Sequence, residues 1–451
     1  MNIDTNRLES IIEASCGASV KDALGVVEKA GAGKGLSLED AACLLSVEDD
    51  GLLRLIHEKA GELKQRLFGK RVVLFAPLYL SNICANGCVY CGFRAANKEM
   101  ARRALTVDEA VREAQAIESM GFKRILLVTG EDPERGVDYA VAVVKAIYAR
   151  TDIRIIHVNA APMTVDEFRE LKGAGVGVYQ SFQETYHRPT YALVHPSGRK
   201  RDYDWRLSVM DRACEAGFGD VGIGPLLGLY DYKFDCLAAI AHSLHLFERF
   251  GAHAHTISIP RLRPADGAAI TDVAHPVTDG DLKKIVSVLR LAVPSAGVVV
   301  STRESAPLRA GLVAIGATQL SAASRTNPGG YGNEATLEQF STNDRRTLAE
   351  VMRSVAEEGL LPSLCTTCYR VGRVGHEFTE KTMAGGMSRL CQANAILTLK
   401  EYLEDYGSNG ADAALRNALA ASVEEIDDPA TKRAVLEKLK EIEAGKRDLF
   451  F

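Results

Sequence analysis

The sequence predicts an α/β fold: a (β/α)8 TIM barrel between an N-terminal helical cover and a C-terminal helical domain. Three observations carry this. From Arg71 onward, short β-branched runs alternate with amphipathic helical segments, and the alternation repeats eight times before about residue 322. Each run is too apolar to leave one face in water, so the strands belong to a parallel sheet covered by helices. Eight such units within about 250 residues fit a closed barrel better than a doubly wound open sheet, the alternative architecture. The segments on either side read as helix alone.

The elements follow in order. Residues 1–66 form the N-terminal helical region: LESIIEAS, VKDALGVVEKA and DAACLLSV place apolar residues at i, i+3 and i+4, and SLED at 37–40 is a capping box. The barrel is assigned to residues 67–334. RVVLFAP (71–77) is the first strand, and TVDEAVREAQAIESMG (106–121) is a capped helix ending in Gly. Strands are expected at KRILLVT, 153–160, 176–183, 220–225, 255–260, 297–301 and 317–322. Helices are expected around 137–149, 164–172, 203–216, 234–249, 279–293 and 306–313. Residues 335–451 form the C-terminal helical domain.

Bulk properties narrow the function classes. The 451 residues are 47% hydrophobic and 25% charged, the balance of an ordinary globular protein. A net charge of −5 with interspersed signs predicts no nucleic-acid surface, and no long uncharged apolar run predicts a membrane span. The start, MNIDTNRLESIIEAS, is acidic and amphipathic, unlike a secretory signal, which predicts a cytoplasmic protein. Ten cysteines are too sparse for a disulfide framework. Cys16, Cys43, Cys214 and Cys236 sit singly in helical patterns and are expected to be small buried hydrophobes.

The other six cysteines carry the chemistry. LYLSNICANGCVYCGF spaces Cys84, Cys88 and Cys91 as C-x3-C-x2-C in the loop after the first strand. A short loop lets three soft thiolates converge on one centre, which selects zinc, copper(I) or an iron–sulfur cluster. Structural zinc takes four protein ligands. No further Cys or His follows nearby, so a cubane cluster with one open iron is favoured. A second set places Cys365 and Cys368 as C-x2-C, with Cys391 after 22 further residues. Its alternatives are zinc, with His376 as fourth ligand, or a second three-cysteine iron–sulfur cluster.

Barrel enzymes gather their chemistry in the loops after the strands. The first cysteine loop belongs to that face. So do the polar residues at strand ends: Gly130 and Glu131, Asn159, Glu184, Arg303, Ser321, Ser324 and Arg325.

C-x3-C-x2-C with Tyr90 before the last cysteine is the signature of radical S-adenosylmethionine (SAM) enzymes, which this chain resembles. More narrowly it resembles the [FeFe]-hydrogenase maturases of the HydG type, which are tyrosine lyases. The resemblance covers roughly residues 66–408, through CVYCGF, GEDP, FQETYHRPTY, DVGIG, HTISIPRLRP, SAASRTNPGGY and CTTCYR. Phe93 and Thr129 are mild departures from the family pattern. The resemblance implies that Cys84, Cys88 and Cys91 hold a [4Fe–4S] cluster whose open iron chelates SAM, generating a 5′-deoxyadenosyl radical. Tyr90 would lie at the adenine, and Gly130 and Glu131 at the methionine amino group. Glu184 and Arg206, with Asn159 as a further candidate, would hold the ribose or the methionine carboxylate. L-Tyrosine would be cleaved at Cα–Cβ to p-cresol and dehydroglycine, with Arg303 on its carboxylate and Ser321 or Ser324 on its amino group.

The second set implies more. Cys365, Cys368 and Cys391 would hold an auxiliary iron–sulfur cluster bearing one extra iron, a [5Fe–5S]-like group. His255 would ligate the extra iron, with His253 as competitor. There dehydroglycine would yield carbon monoxide and cyanide for an Fe(CO)2(CN) synthon. His255 begins the sixth strand, so the two centres would lie at opposite ends of the barrel, joined by an interior passage. A flavodoxin- or ferredoxin-type electron donor and other hydrogenase maturation proteins are the implied partners. Two rivals remain: a ThiH-like tyrosine lyase of thiamin thiazole biosynthesis (2-iminoacetate synthase), and a non-enzymatic iron–sulfur carrier.

Overall fold

The first strand organises the architecture because it is much longer than its neighbours. The computed structural model describes residues 1–270, 272–332, 337–407 and 412–451; the expected boundary at 334/335 lies outside them. β1 (Arg71–Ser81) is followed by β2 (Arg124–Thr129), β3 (Ile155–Asn159), β4 (Val176–Gln180) and β5 (Asp220–Ile223). β6 (Thr256–Ser258), β7 (Gly297–Val300) and β8 (Gln319–Ser321) complete the set. Each strand pairs in parallel with the next, and β8 pairs back onto β1 through Val73–Phe75. The sheet is therefore closed, which excludes the doubly wound alternative. β1 meets β2 along Ala76–Ser81, past its pairing with β8, so its eleven residues serve two neighbours at staggered heights. That stagger is what barrel closure demands.

Helices form where the amphipathic pattern and caps place them. Thr106, Thr164 and Thr278 each close a capping box, as does Ser37 in the N-terminal region. Each box satisfies donors that the first helical turn leaves open. The N-terminal cover docks through the helix Asp50–Phe68 onto the helices Asp279–Ala292 and Ala306–Ile315. Gly61 permits the closest approach: a Cβ there would stand 2.8 Å from the Ala314 carbonyl oxygen.

Three local expectations are corrected. The C-terminal region is not helical throughout: β9 (Leu361–Ser363) pairs in parallel with Arg71–Val73, extending the sheet beside the start of β1. Pro362 at its centre reads as a break in a strand, so the run carries no strand signal. The helix expected over 203–216 is two helices, Tyr203–Leu207 and Val209–Glu215, interrupted at Ser208. There the Ser208 hydroxyl donates to the Asp204 carbonyl at 2.7 Å and accepts from Arg212 Nη1 at 2.9 Å. Cys16 is exposed just beyond the helix Thr5–Ser15, whereas Cys43 and Cys236 are buried and Cys214 is half-buried. No helix among the described residues is long and apolar enough to cross a membrane.

The C-terminal half is tied to the barrel by a buried ion pair. Arg309 donates to Asp344 and to the Ser321 carbonyl at the end of β8, and both charged side chains are 1% exposed. Arg346 adds two contacts to the same carboxylate, at 2.7 and 2.9 Å. Removing the shared carboxylate leaves the Arg309 charge buried and uncompensated, which typically costs about 3–5 kcal/mol. Asp344→Ala is accordingly expected to lose that much stability, measured as the change in denaturation midpoint. A loss below roughly 1 kcal/mol would contradict this account.

Candidate active site and a second cysteine centre

The first cavity, about 220 Å3, opens at the C-terminal ends of the strands. Cys84, Cys88 and Cys91 line it, as the loop's position after β1 predicts. Amide and backbone N–H groups are aimed at the sulfurs. Asn86 Nδ2 lies 3.6 Å from Cys84 Sγ, Phe93 N 3.4 Å and Gln339 Nε2 3.7 Å from Cys91 Sγ. Burial pushes the Cys88 thiol up to about 12, so a thiolate there needs a cationic partner such as iron. Gly130 packs against the loop: a Cβ would meet the Ile83 carbonyl oxygen at 2.3 Å and Cys84 Cβ at 3.1 Å.

Tyr90, Gly130, Glu131, Asn159, Glu184 and Arg206 all line this cavity. They form a buried electrostatic network. Arg206 Nη2 donates to Glu131 Oε1 at 2.6 Å and Nη1 to Ser181 Oγ at 2.6 Å. Burial opposes ionisation of Glu131, but Arg206 and Lys200 more than offset it and hold the carboxyl below its ordinary value. Lys200 Nζ donates to Glu184 Oε1 at 2.5 Å; burial opposes that charge as well, and Glu184 outweighs it. Tyr90 donates its phenol to His195 Nε2 at 2.8 Å. His195 is held neutral by burial, pushed down to about 2, and its Nδ1 pairs with the Tyr191 carbonyl at 2.9 Å.

Arg303, Ser321 and Ser324 line the other side of the same cavity. Arg303 sits 3.4 Å above the Phe340 ring and, among the described residues, has no carboxylate partner. Burial pushes its guanidinium down to about 10. A half-buried guanidinium that faces a cavity with no carboxylate partner among the described residues suits a planar anion. Ser321 Oγ accepts from Thr302 N at 3.2 Å, whereas Ser324 Oγ is buried without a partner among the described residues. Arg325 does not line the cavity.

The second cavity is smaller, about 40 Å3, and lies at the opposite ends of the strands. It is lined by the first residues of β1, β2, β7 and β8: Arg71, Arg124, Gly297 and Gln319. Cys365, Cys368, Cys391 and His255 also line it. Thr367 N lies 3.5 Å from Cys365 Sγ, and the buried Arg71 guanidinium pairs with Cys391. Burial pushes Cys368 up to about 12. His253 is elsewhere, stacked 4.5 Å from Phe247. The exposed His376 faces the Gly251 carbonyl at 3.0 Å, outside the cavity lining, which removes it as a fourth zinc ligand. Among the described residues no three His, Cys, Asp or Glu side chains are grouped as ligands of one metal ion. The triads are cavity linings and not closed single-ion shells.

Lys200, His195, Asn86 and Gln339 escape sequence reasoning. Lys200 sits in the run GRKR, which reads as a solvated loop. Gln339 reaches the first cavity from 248 residues downstream of Cys91, a distance no spacing rule covers. Glu184 carries a local signal visible only in three dimensions: its φ of 69° lies in the left-handed region, uncommon for a non-glycine. The segment after it is pinned where Thr185 Oγ1 and Tyr186 N donate to Asp235 Oδ1, at 3.1 and 2.7 Å.

Comparison with known proteins agrees with this geometry. Residues 78–244 match the Radical SAM superfamily, and residues 258–361 match the Biotin and Thiamin Synthesis associated domain. A crystal structure of HydG, a maturase of the [FeFe]-hydrogenase, superposes with a TM-score of 0.96 at 45% identity, covering 99% of each chain. The chain belongs to the radical SAM superfamily, on the HydG branch. The HydG of Carboxydothermus hydrogenoformans superposes at 0.85 with 38% identity, over 96% of this chain and 97% of that one. The 2-iminoacetate synthase of Escherichia coli K12 is 36% identical over 339 residues, 74% of this chain and 89% of the relative. Membership of the superfamily implies a [4Fe–4S] cluster and SAM, which the buried cysteines, their N–H donors and the adjoining charged cavity fit.

Two outcomes test this site. Gly130→Ala is expected to displace the Ile83–Cys84 backbone and lower the iron and sulfide bound after reconstitution; full loading would contradict the packing argument. Asp235 is pushed up to about 7 by burial, from an ordinary value near 3.8. An acid whose folded pKa is raised is neutral in both states below about 3.8, and above that the unfolded chain ionises first. Its contribution to stability is therefore lost as pH rises from about 4 to 7, by up to about 1.4 kcal/mol per pH unit. Asp235→Asn is expected to flatten thermal stability across that window, and an unchanged profile would refute it.

Proposed function

We propose that the protein is a radical SAM tyrosine lyase of [FeFe]-hydrogenase maturation, an enzyme of the carbon–carbon lyase class. It would cleave L-tyrosine to p-cresol and dehydroglycine and convert the latter to carbon monoxide and cyanide. The observation that carries the reading is the pair of cysteine triads, each in its own cavity at opposite ends of one barrel, with His255 at the second. The similarity to HydG over the whole chain supports it.

When bound, the first cluster with SAM would supply the radical that removes hydrogen from the tyrosine amino group. The chain's own residues would bind and orient. Arg206 and Glu131, a linked pair of opposite charges, would receive the methionine carboxylate and amino group. Glu184 and Asn159 would take the ribose hydroxyls, with Lys200 Nζ fixing the Glu184 carboxylate in place. Tyr90, fixed by His195, would border the adenine. Arg303 would hold the tyrosine carboxylate, and Ser324, whose hydroxyl has no partner among the described residues, or Ser321 would meet the amino group. Such fixing of both reactants supplies much of a catalytic advantage. Cys365, Cys368 and Cys391 would hold the auxiliary cluster, with His255 on an extra iron, supplying the site where carbon monoxide and cyanide arise. Other hydrogenase maturation proteins would receive them, and a flavodoxin- or ferredoxin-type donor would provide electrons.

The identity to 2-iminoacetate synthase favours a second reading, a lyase that stops after the first cleavage. Reduced, reconstituted enzyme given tyrosine and SAM is expected to release p-cresol under both. Carbon monoxide trapped by deoxyhaemoglobin is expected only under the maturase reading. Replacing Cys365 and Cys368 together with Ala should leave p-cresol formation largely intact and abolish carbon monoxide. Equal loss of both products would overturn the division of labour between the two cavities.

A further inference from the structure

Behind the His255 imidazole stands a carboxylate that sequence reading did not single out. His255 Nδ1 lies 3.2 Å from Asp220 Oδ2. The two atoms approach without completing a hydrogen bond, neither has another partner among the described residues, and the two residues are 8% and 2% exposed. The other carboxylate oxygen of Asp220 is already committed: Oδ1 accepts from Gly375 N at 2.9 Å. On the far side of the ring, His255 Nε2 meets the Tyr369 hydroxyl at 2.9 Å, at the edge of the second cavity. Tyr369 is itself held by the Arg124 guanidinium over its face at 5.2 Å and by His157 edge-on at 5.1 Å.

We propose that Asp220 is the positioning residue that makes His255 an iron ligand. A proton on Nδ1 satisfies the Asp220 oxygen and leaves the Nε2 lone pair facing the cavity. A histidine ligand needs this arrangement, because the group on one ring nitrogen decides which tautomer the other presents. The carboxylate also has a route to the cysteines. Gly375 belongs to the C-terminal region that carries Cys365, Cys368 and Cys391, so docking of that region orients Asp220, and Asp220 orients the imidazole. The inference rests on the proposed auxiliary cluster with its extra iron.

Asp220→Asn tests it because the change is isosteric. The Gly375 N–H needs an acceptor, so the asparagine oxygen stays with it and the amide NH2 turns to His255 Nδ1. The imidazole must then carry its proton on Nε2, which closes the nitrogen that would bind iron. After anaerobic reconstitution with ferrous iron and sulfide, Asp220→Asn is expected to bind the extra iron about 10–100-fold more weakly than wild type. The readouts are an iron titration and the low-temperature EPR signal of the high-spin iron. Tyr369→Phe removes the hydroxyl but leaves Asp220, and is expected to retain that iron.

A second measurement does not depend on any variant at Asp220 folding. In metal-free wild-type protein labelled with 15N-histidine, the His255 resonances, assigned by their loss in His255→Gln, should report the Nδ1-protonated tautomer. An Nε2-protonated ring overturns the proposal. So does wild-type iron affinity in Asp220→Asn, or an equal loss in Tyr369→Phe, which would make general packing the cause. Wild-type protein that never holds more iron than its first cluster needs would overturn the proposal together with the two-cluster reading. Normal wild-type loading with an indifferent Asp220→Asn would overturn the positioning role alone.

Discussion

Everything in this molecule depends on the alternation of side chains along one strand. In β1 the residues of one parity point into the barrel. Arg71 and Val73 line the cavity at its lower end, and Phe75, Pro77 and Tyr79 line the cavity at its upper end. The same strand leads directly into the Cys84–Cys91 loop and, at its start, pairs with β9 immediately before Cys365. Both cysteine triads are therefore fixed to opposite ends of a single eleven-residue element. A register slip of one residue in β1 would turn its inward set outward and uncouple both sites at once.

The two cavities solve one electrostatic problem differently. Each holds a cysteine that burial pushes up to about 12, Cys88 in one and Cys368 in the other, and that resists ionisation without a cationic partner. At the upper site, amides from Asn86 and Gln339 and the Phe93 N–H point at sulfur, while Glu131, Arg206, Glu184 and Lys200 compensate one another nearby. At the lower site the compensation is cationic: Arg71 pairs with Cys391, and Arg124 Nη2 donates to the Cys365 carbonyl at 2.6 Å. Charges this deeply buried persist only when paired or hydrogen-bonded. Their density around two small volumes makes those volumes the candidate sites of chemistry.

The legibility of the site varies with distance along the chain. The cysteine spacings could be read directly because their ligands are local, and the strand-end rule reached Glu131, Asn159 and Arg303 because the barrel's directionality is uniform. The choice of His255 over His253 had a structural cause that sequence could only suggest. β6 begins at Thr256, leaving His253 in the preceding turn against Phe247. Lys200, His195, Gln339 and Asp220 were out of reach, since each acts through a partner tens to hundreds of residues away. β9 is not legible because Pro362 at its centre reads as a strand breaker.

What the sequence determined by itself was a repeating local pattern, eight apolar strands with capped helices between them, and two clusters of soft ligands. Periodicity and spacing are properties of neighbours, and they survive without a fold. What only the tertiary structure decided was pairing. It set Arg206 against Glu131 and Lys200 against Glu184, left Arg303 without a carboxylate among the described residues, put Asp220 behind His255, and opened the two cavities at opposite ends. Those relations arise when barrel closure brings distant side chains within hydrogen-bonding reach, and burial then gives each contact its weight.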